Sequence, residues 1–235
     1  MISAANRHFT PSGRVITIGD IHGCSTALAA LCRVIDPQPA DTVVTLGDVI
    51  DYGPDSRGVV DQLLELRERT RLVKLTGNHE ELLFGVVDGP HVLETWTTHG
   101  GDRTLASYGV NHPSKMPVEH LEFLRPYQPF WESRDHGFVH AGYYPNQPLK
   151  DTPSSVLLWE FLEPKRAWPH FSDKTFVVGH TPQKSGEILD LGFLVCIDTD
   201  CSRGMWLTAL DTTTGHYWQA NECGQTREGD RTQCP

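Results

Sequence analysis

An α/β fold is predicted by three features of the chain. In the first third, short apolar runs alternate with helical patterns at a repeat of about 30 residues, the size of a βαβ unit. Each of these runs ends in Gly followed by Asp or Asn. The segments between them gather their apolar residues on one helical face.

Val15-Ile16-Thr17-Ile18 reads as the first strand and runs into Gly19-Asp20. Ser25 to Ile35 reads as a helix, with Leu28, Leu31, Val34 and Ile35 on one face and Pro37 and Pro39 closing it. Val43 to Leu46 is the second strand, ending at Gly47-Asp48, and Ser56 to Arg69 the second helix. Leu72 to Leu75 is the third strand, ending at Gly77-Asn78. This order implies a parallel sheet with right-handed crossovers. Ligands of such sheets lie beyond the carboxyl ends of the strands, so Asp20, Asp48 and Asn78 are expected to converge there.

Glu80 to Val87 continues with a helical pattern. Residues 88–130 mix prolines and glycines with short helical patches at Asp102–Tyr108 and Val118–Leu124, and are expected to form a helical insertion or lid. Strand-like runs return at Gly137–Val139, Phe176–Val178, Phe193–Ile197, Trp206–Leu210 and His216–Gln219. The last three lie close together and predict an antiparallel sheet. Residues 221–235 are polar and are expected to be a loose tail. No linker divides the chain, so one domain over 1–235 is expected.

Hydrophobic residues at 38% and charged residues at 21% predict an ordinary globular protein. Residues 1–15 lack the apolar run of a signal peptide, and no stretch reaches the roughly 18 apolar residues that span a bilayer. A cytoplasmic location follows as the expectation, with no membrane partner. A net charge of −10 argues against nucleic acid as a partner. The sequence leaves the oligomeric state open. Six cysteines (Cys24, Cys32, Cys196, Cys201, Cys223 and Cys234) include no Cys-x-x-Cys pair and read as small buried hydrophobes or inert thiols.

Five segments carry the chemistry: Gly19-Asp20-Ile21-His22-Gly23, Gly47-Asp48-Val49-Ile50-Asp51, Gly77-Asn78-His79-Glu80, Val139-His140-Ala141-Gly142 and Val178-Gly179-His180-Thr181. Each lies at a strand end. Their mixed oxygen and nitrogen donors suit Mn, Fe or Zn better than Ca or Mg. Bound divalent cations also reconcile an acidic chain with phosphate, since the ion is often the largest local charge in a site. His8, His91, His99, His112, His120, His136, His170 and His216 lack such a setting and read as structural or surface residues. Trp96, Trp131, Trp159, Trp168, Trp206 and Trp218 read as packing.

In this order the segments resemble the calcineurin-like metallophosphoesterases, and within them the phosphoprotein phosphatase branch with its bacterial and phage serine/threonine phosphatases. The resemblance spans Val15 to Gln219. It implies a four-layer sandwich in which helices flank two central mixed β-sheets. It also implies two divalent metal ions, Mn foremost with Fe or Zn as alternatives. Asp20 and His22 would hold the first, Asp48 would bridge, and Asn78, His140 and His180 would complete the second. A hydroxide bridging the two metals would attack phosphorus. His79 would protonate the leaving oxygen, with Asp51 orienting it.

The segment Gly47-Asp48-Val49-Ile50-Asp51-Tyr52-Gly53 departs from the pattern of that branch, which has arginine where Tyr52 stands. Tyrosine donates one hydrogen bond and brings neither charge nor a bidentate fork. Asn78 and Tyr52 remain as substrate contacts, and Arg57, Arg103, Arg166 and Arg203 are candidates for the lost clamp. Symmetrical dinucleoside tetraphosphate hydrolases share the motifs but usually carry a small residue where Asp51 stands. The expected activity is therefore a phosphatase acting on phosphoserine or phosphothreonine proteins or small phosphomonoesters. Alternatives are a symmetrical dinucleoside tetraphosphate hydrolase and an attenuated, metal-loaded regulatory module. The short His140-to-His180 interval is expected to leave less room for an elaborate substrate-recognition insert.

Overall fold

The computed structural model describes residues 13–89, 92–126 and 128–231. His8, His91 and Cys234, with parts of the expected lid and tail, lie outside them. The chain folds into two mixed sheets flanked by helices.

The first sheet contains β1 (Val15–Ile18), β2 (Thr42–Thr45), β3 (Arg71–Lys74), β9 (Leu207–Asp211), β10 (His216–Ala220) and β11 (Thr226–Asp230), in the order β11-β10-β9-β1-β2-β3. β1, β2 and β3 are parallel, joined through α1 (Ser25–Ile35) and α2 (Ser56–Arg69) as the sequence predicts. The second sheet contains β4 (Phe130–Glu132), β5 (His136–Val139), β6 (Thr175–Val178), β7 (Leu189–Asp190) and β8 (Leu194–Cys196), in the order β4-β5-β6-β8-β7.

Side-chain alternation produces the layers, because neighbouring residues of a strand point to opposite faces. Ile16 and Ile18 pack toward α1 and α2, whereas Val15 faces the other sheet. Between the sheets lies a core of Val44, Leu46, Phe138, Val177, Val195 and Leu210, among others. Phe176, Val178, Leu194 and Cys196 point the other way, onto Leu157 and Leu158 of α7 (Ser154–Trp159). Three apolar seams thus separate four layers. Each fully buried aliphatic side chain in them contributes about 1.5–3 kcal/mol.

Two expectations are corrected. The run around Phe193–Ile197 does not join the antiparallel sheet of its neighbours in sequence. Its central residues form β8, which pairs in parallel with β6 in the second sheet. The chain changes sheets between β8 and β9, and of the three runs only the last two, β9 and β10, pair antiparallel with each other. Also, residues 226–230 are not loose: they form β11 along the full length of β10. Backbone pairing explains this, since the strand is polar and its side chains offered no apolar signal.

The segment 88–130 contributes α4 (Leu93–Trp96), α5 (Asp102–Tyr108) and α6 (Val118–Leu124) after α3 (Asn78–Val87). α5 and α6 lie against α2. Among the described residues no helix is long and apolar enough to cross a membrane. Cys24, Cys32, Cys196, Cys201 and Cys223 are free thiols.

Candidate metal centre and catalytic site

Asp20, His22, Asp48, Asn78, His140 and His180 all follow strand ends or open α3. Glycines permit the close approach. Gly47 has φ +106°, and a Cβ there would sit 2.4 Å from the amide nitrogen of Gly77. A Cβ on Gly179 would sit 2.0 Å from Asp20 Oδ1. Among the described residues eight non-glycines have positive φ, and six of them, His22, Asp48, Asp51, Tyr52, His180 and Asp200, cluster in this region. Backbone strain of this kind persists only where the surroundings over-determine it, and it gathers at functional sites.

Two groups of ligand atoms, each lying within 4.8 Å of one another, share Asp48: His22, Asp48 and His79 form one, and Asp48, His140 and His180 the other. Asp48 Oδ2 stands 3.6 Å from His22 Nε2 and 3.4 Å from His140 Nε2. Asp20 stands outside both groups. Its Oδ2 accepts from the His180 amide at 3.0 Å, and its buried Oδ1 has no partner.

Backbone carbonyls set the histidine tautomers. His22 Nδ1 donates to the Ile50 carbonyl at 2.8 Å, His140 Nδ1 to Leu46 at 3.0 Å and His180 Nε2 to Trp159 at 3.2 Å. Each opposite ring nitrogen is left with a lone pair. His140 Nε2, His180 Nδ1 and Asn78 Oδ1 then meet at 2.9–3.2 Å with no hydrogen between them. Three acceptors thus face one another, and Asp20 Oδ1, whose carboxylate holds the His180 amide, is a further buried oxygen without a partner. A divalent cation is the group that satisfies such a set, and the carbonyl partners are the outer contacts metal-ligating histidines require. The residues therefore fit bound metal.

Electrostatics agree. Burial, followed by the neighbouring charge of Asp198, raises Asp20 well above the usual carboxylate range. Burial and Glu80 raise Asp48. Burial holds His22 and His140 well below the normal imidazole value and His180 down at about 4. Neutral imidazole is the ligating form, and crowded carboxylates are what cations relieve.

His79 opens α3 beside this centre. Its Nδ1 meets Asp51 Oδ2 at 2.8 Å, while its Nε2 faces Asp48 Oδ2 from 3.9 Å. Asp51 is fully buried and also accepts from Trp96 Nε1 at 2.8 Å and Thr104 Oγ1 at 2.7 Å. Burial pushes Asp51 up to about 8 and His79 down to about 4. Trp96, read from sequence as packing, is thus also a hydrogen-bond donor, and the segment 88–130 supplies two ligands to the His79–Asp51 pair.

Sequence reasoning missed other contributors. Glu80 accepts from the amides of Asp48, Val49 and Gly77, each at 2.9 Å, and so ties two motifs together. Asp198, one residue past the inter-sheet core residue Ile197, is buried and pushed up to about 7 by that burial. The strand-end pattern could have found it, although no glycine precedes it. Trp159, also read as packing, donates from Nε1 to Glu81 at 2.6 Å.

Tyr52 sits edge-on to the His22 and His79 rings, with centroids 4.9 and 5.0 Å away. Of the four candidate arginines, Arg203 reaches it, with the guanidinium carbon 5.9 Å from the Tyr52 ring centre. Its Nη1 lies 3.6 Å from Asp200. Arg57 instead turns to Asp61 on α2 at 4.0 Å, Arg103 is exposed on α5, and Arg166 lies 3.4 Å from Glu163.

Residues 13–207 match the family model described as calcineurin-like phosphoesterase. The chain is 30% identical over 220 residues to the asymmetrical bis(5'-nucleosyl)-tetraphosphatase PrpE of Geobacillus thermodenitrificans, covering 82% of this chain and 88% of that protein. It is 37% identical over 204 residues to serine/threonine-protein phosphatase 1 of Salmonella typhimurium, covering 83% and 89%. A crystal structure assigned to a candidate diadenosine tetraphosphatase superposes with TM-score 0.65 over 93% of this chain and 94% of the other, at 22% identity.

Proposed function

The chain belongs to the calcineurin-like phosphoesterase family, and from that premise we propose that it is a divalent-metal-dependent hydrolase of bis(5'-nucleosyl) tetraphosphates. The likeness to a tetraphosphatase over most of both chains carries the substrate. The site by itself supports phosphoryl transfer to water from any group it can hold. In this reading Asp20, His22 and Asp48 would hold one cation, and Asp48, Asn78, His140 and His180 the other, with Mn foremost and Fe or Zn suited to the same donors. Bound there, the cations supply positive charge against the phosphoryl group and a water acidic enough to attack near neutral pH.

The chain's own groups do the rest. His79 presents Nε2 to the leaving oxygen while Asp51 holds Nδ1. Trp96 and Thr104 fix Asp51, so the imidazole keeps its orientation. Asn78 lies where it can serve both metal and substrate, and the Tyr52 hydroxyl and Arg203 together take the place of the missing arginine clamp.

Diadenosine tetraphosphate and a phosphoserine peptide compared at equal enzyme test the substrate. The tetraphosphate is expected to be cleaved faster, to ATP and AMP as in the asymmetrical relative. Two ADP molecules would indicate the symmetrical alternative. Faster peptide hydrolysis would favour the second reading, a phosphoserine/phosphothreonine phosphatase. The His79–Asp51 pair supports that reading, because an alkoxide needs protonation more than a departing phosphate does. So does the likeness to a serine/threonine phosphatase.

Arg203→Ala is expected to raise both KM and the inhibition constant of inorganic phosphate by roughly tenfold to a hundredfold, from the loss of a charge-assisted hydrogen bond of about 1.5–3 kcal/mol. Phosphate inhibition equal to that of the parent would remove Arg203 from the clamp. A strong rise of turnover in Tyr52→Arg would mark the natural protein as an attenuated enzyme.

A further inference from the structure

The His140-to-His180 interval, though short, builds a cleft. Its cavity of about 290 Å³ is lined by Gly142, Tyr143, Glu160, Phe161, Glu163 and Trp168, among others. That is the lower end of small-molecule sites, which run to about 300–1,000 Å³, and gives room for one base with its sugar.

The cleft begins at the metal centre. Ala141 and Gly142, which line it, directly follow His140. The Phe161 ring stacks on His180 with centroids 4.7 Å apart and planes at 30°. Phe161 is 64% exposed and Trp168 68% exposed, so two large aromatic side chains of the cleft stand in water, the first of them against His180. The loop carrying them is anchored rather than free. The Leu162 amide donates to Thr181 Oγ1 at 2.8 Å, and Tyr143 Oη donates to the Trp168 carbonyl at 3.0 Å.

We propose that this cleft is the nucleobase subsite, in which a purine of the substrate stacks on Phe161 and Trp168. The inference rests on the tetraphosphatase reading above. Aromatic side chains bind bases through their π-faces, which every base possesses. The charged lining is two carboxylates and one guanidinium, Glu160, Glu163 and Arg166, with Arg166 Nε 3.4 Å from Glu163. With Arg166 turned to Glu163, the lining keeps a net negative charge, and its carboxylates can accept hydrogen bonds from the amino edge of a purine. A base held here leaves its phosphate chain free to run past Gly142 toward His140 and His180. Trp168 is therefore more than the packing residue its sequence context suggested.

Two measurements on the full chain test the subsite separately from the substrate assignment. The first is equilibrium binding of adenosine, which has no phosphate to engage the metals. Adenosine is expected to bind the parent and to bind Trp168→Ala and Phe161→Ala roughly tenfold to a hundredfold more weakly, with Trp168→Phe restoring most of the loss. The second is the ratio of kcat/KM for diadenosine tetraphosphate to that for inorganic tripolyphosphate, which is expected to fall about tenfold or more in Trp168→Ala. Adenosine binding that is undetectable in the parent, or equal in the parent and both alanine variants, overturns the subsite. So does a loss in Trp168→Ala confined to phosphopeptide hydrolysis, which would make the cleft a peptide groove. A parent that binds adenosine here yet fails to cleave the tetraphosphate overturns the substrate reading and retains the base site. A parent that cleaves it with an unchanged ratio in Trp168→Ala does the reverse.

Discussion

Asp48→Asn is expected to lower turnover by roughly a thousandfold or more while leaving the protein folded. Asp48 alone among the site carboxylates belongs to both groups of converging ligand atoms, so its loss weakens both cation positions at once. Losing about 4 kcal/mol of transition-state stabilisation, the scale of a metal acting on a phosphoryl oxygen, corresponds to about three powers of ten. The substitution is chosen to spare the scaffold. Asn tolerates the left-handed backbone that Asp48 adopts at φ 49°. Its Oδ1 can still accept from the His79 amide, which Asp48 does at 3.0 Å. Turnover, bound metal and thermal unfolding measured on one preparation check this. Near-parental turnover with reduced metal would overturn the two-cation reading.

The second large effect is expected from His79→Asn, a fall in kcat/KM of about 10²–10⁴, the range for loss of a general acid. The size should depend on the leaving group: greatest for an alkyl phosphate, smallest for an aryl phosphate whose phenolate departs unaided. Asp51→Asn should follow the same order, and the double variant should lose little more than either single one, since the two residues act as a unit. The pH profile carries a further signature. With Asp51 raised to about 8 and His79 lowered to about 4, the buried pair retains one proton between these values and loses it as pH rises through about 8. That proton belongs to the pair rather than to either residue. The parent is therefore expected to lose activity on the alkaline side near pH 8, and His79→Asn to lose that limb. An unchanged alkaline limb in the variant would assign the proton elsewhere.

The proposed ligands were legible in sequence because the relevant code is local. A short apolar strand followed within a few residues by a donor, in most segments after a glycine, places these side chains at the same edge of an α/β fold. The parallel half of the first sheet was equally legible, since βαβ connectivity has a single preferred hand. Legibility stopped where a residue's role depends on a partner far along the chain. Glu80 binds amides of Asp48 and Val49, 32 and 31 residues away. Trp96 reaches Asp51 across 45 residues. Nothing in their own neighbourhoods distinguishes these side chains from a helix cap or a core ring.

Local sequence alone is enough for the α/β class, the βαβαβ half and the placing of the proposed donors at strand ends. Periodicity and strand-end chemistry are short-range properties of the chain. Tertiary structure alone decided which sheet received Leu194–Cys196 and that polar Thr226–Asp230 became a strand, because strand pairing is made by backbone groups that every sequence carries. It alone brought Arg203, rather than the other three arginines, to within 5.9 Å of the Tyr52 ring, by folding the crossover between the sheets toward it. It also turned the short interval before His180 into an aromatic cleft, since that loop folds back on the histidine at its own end.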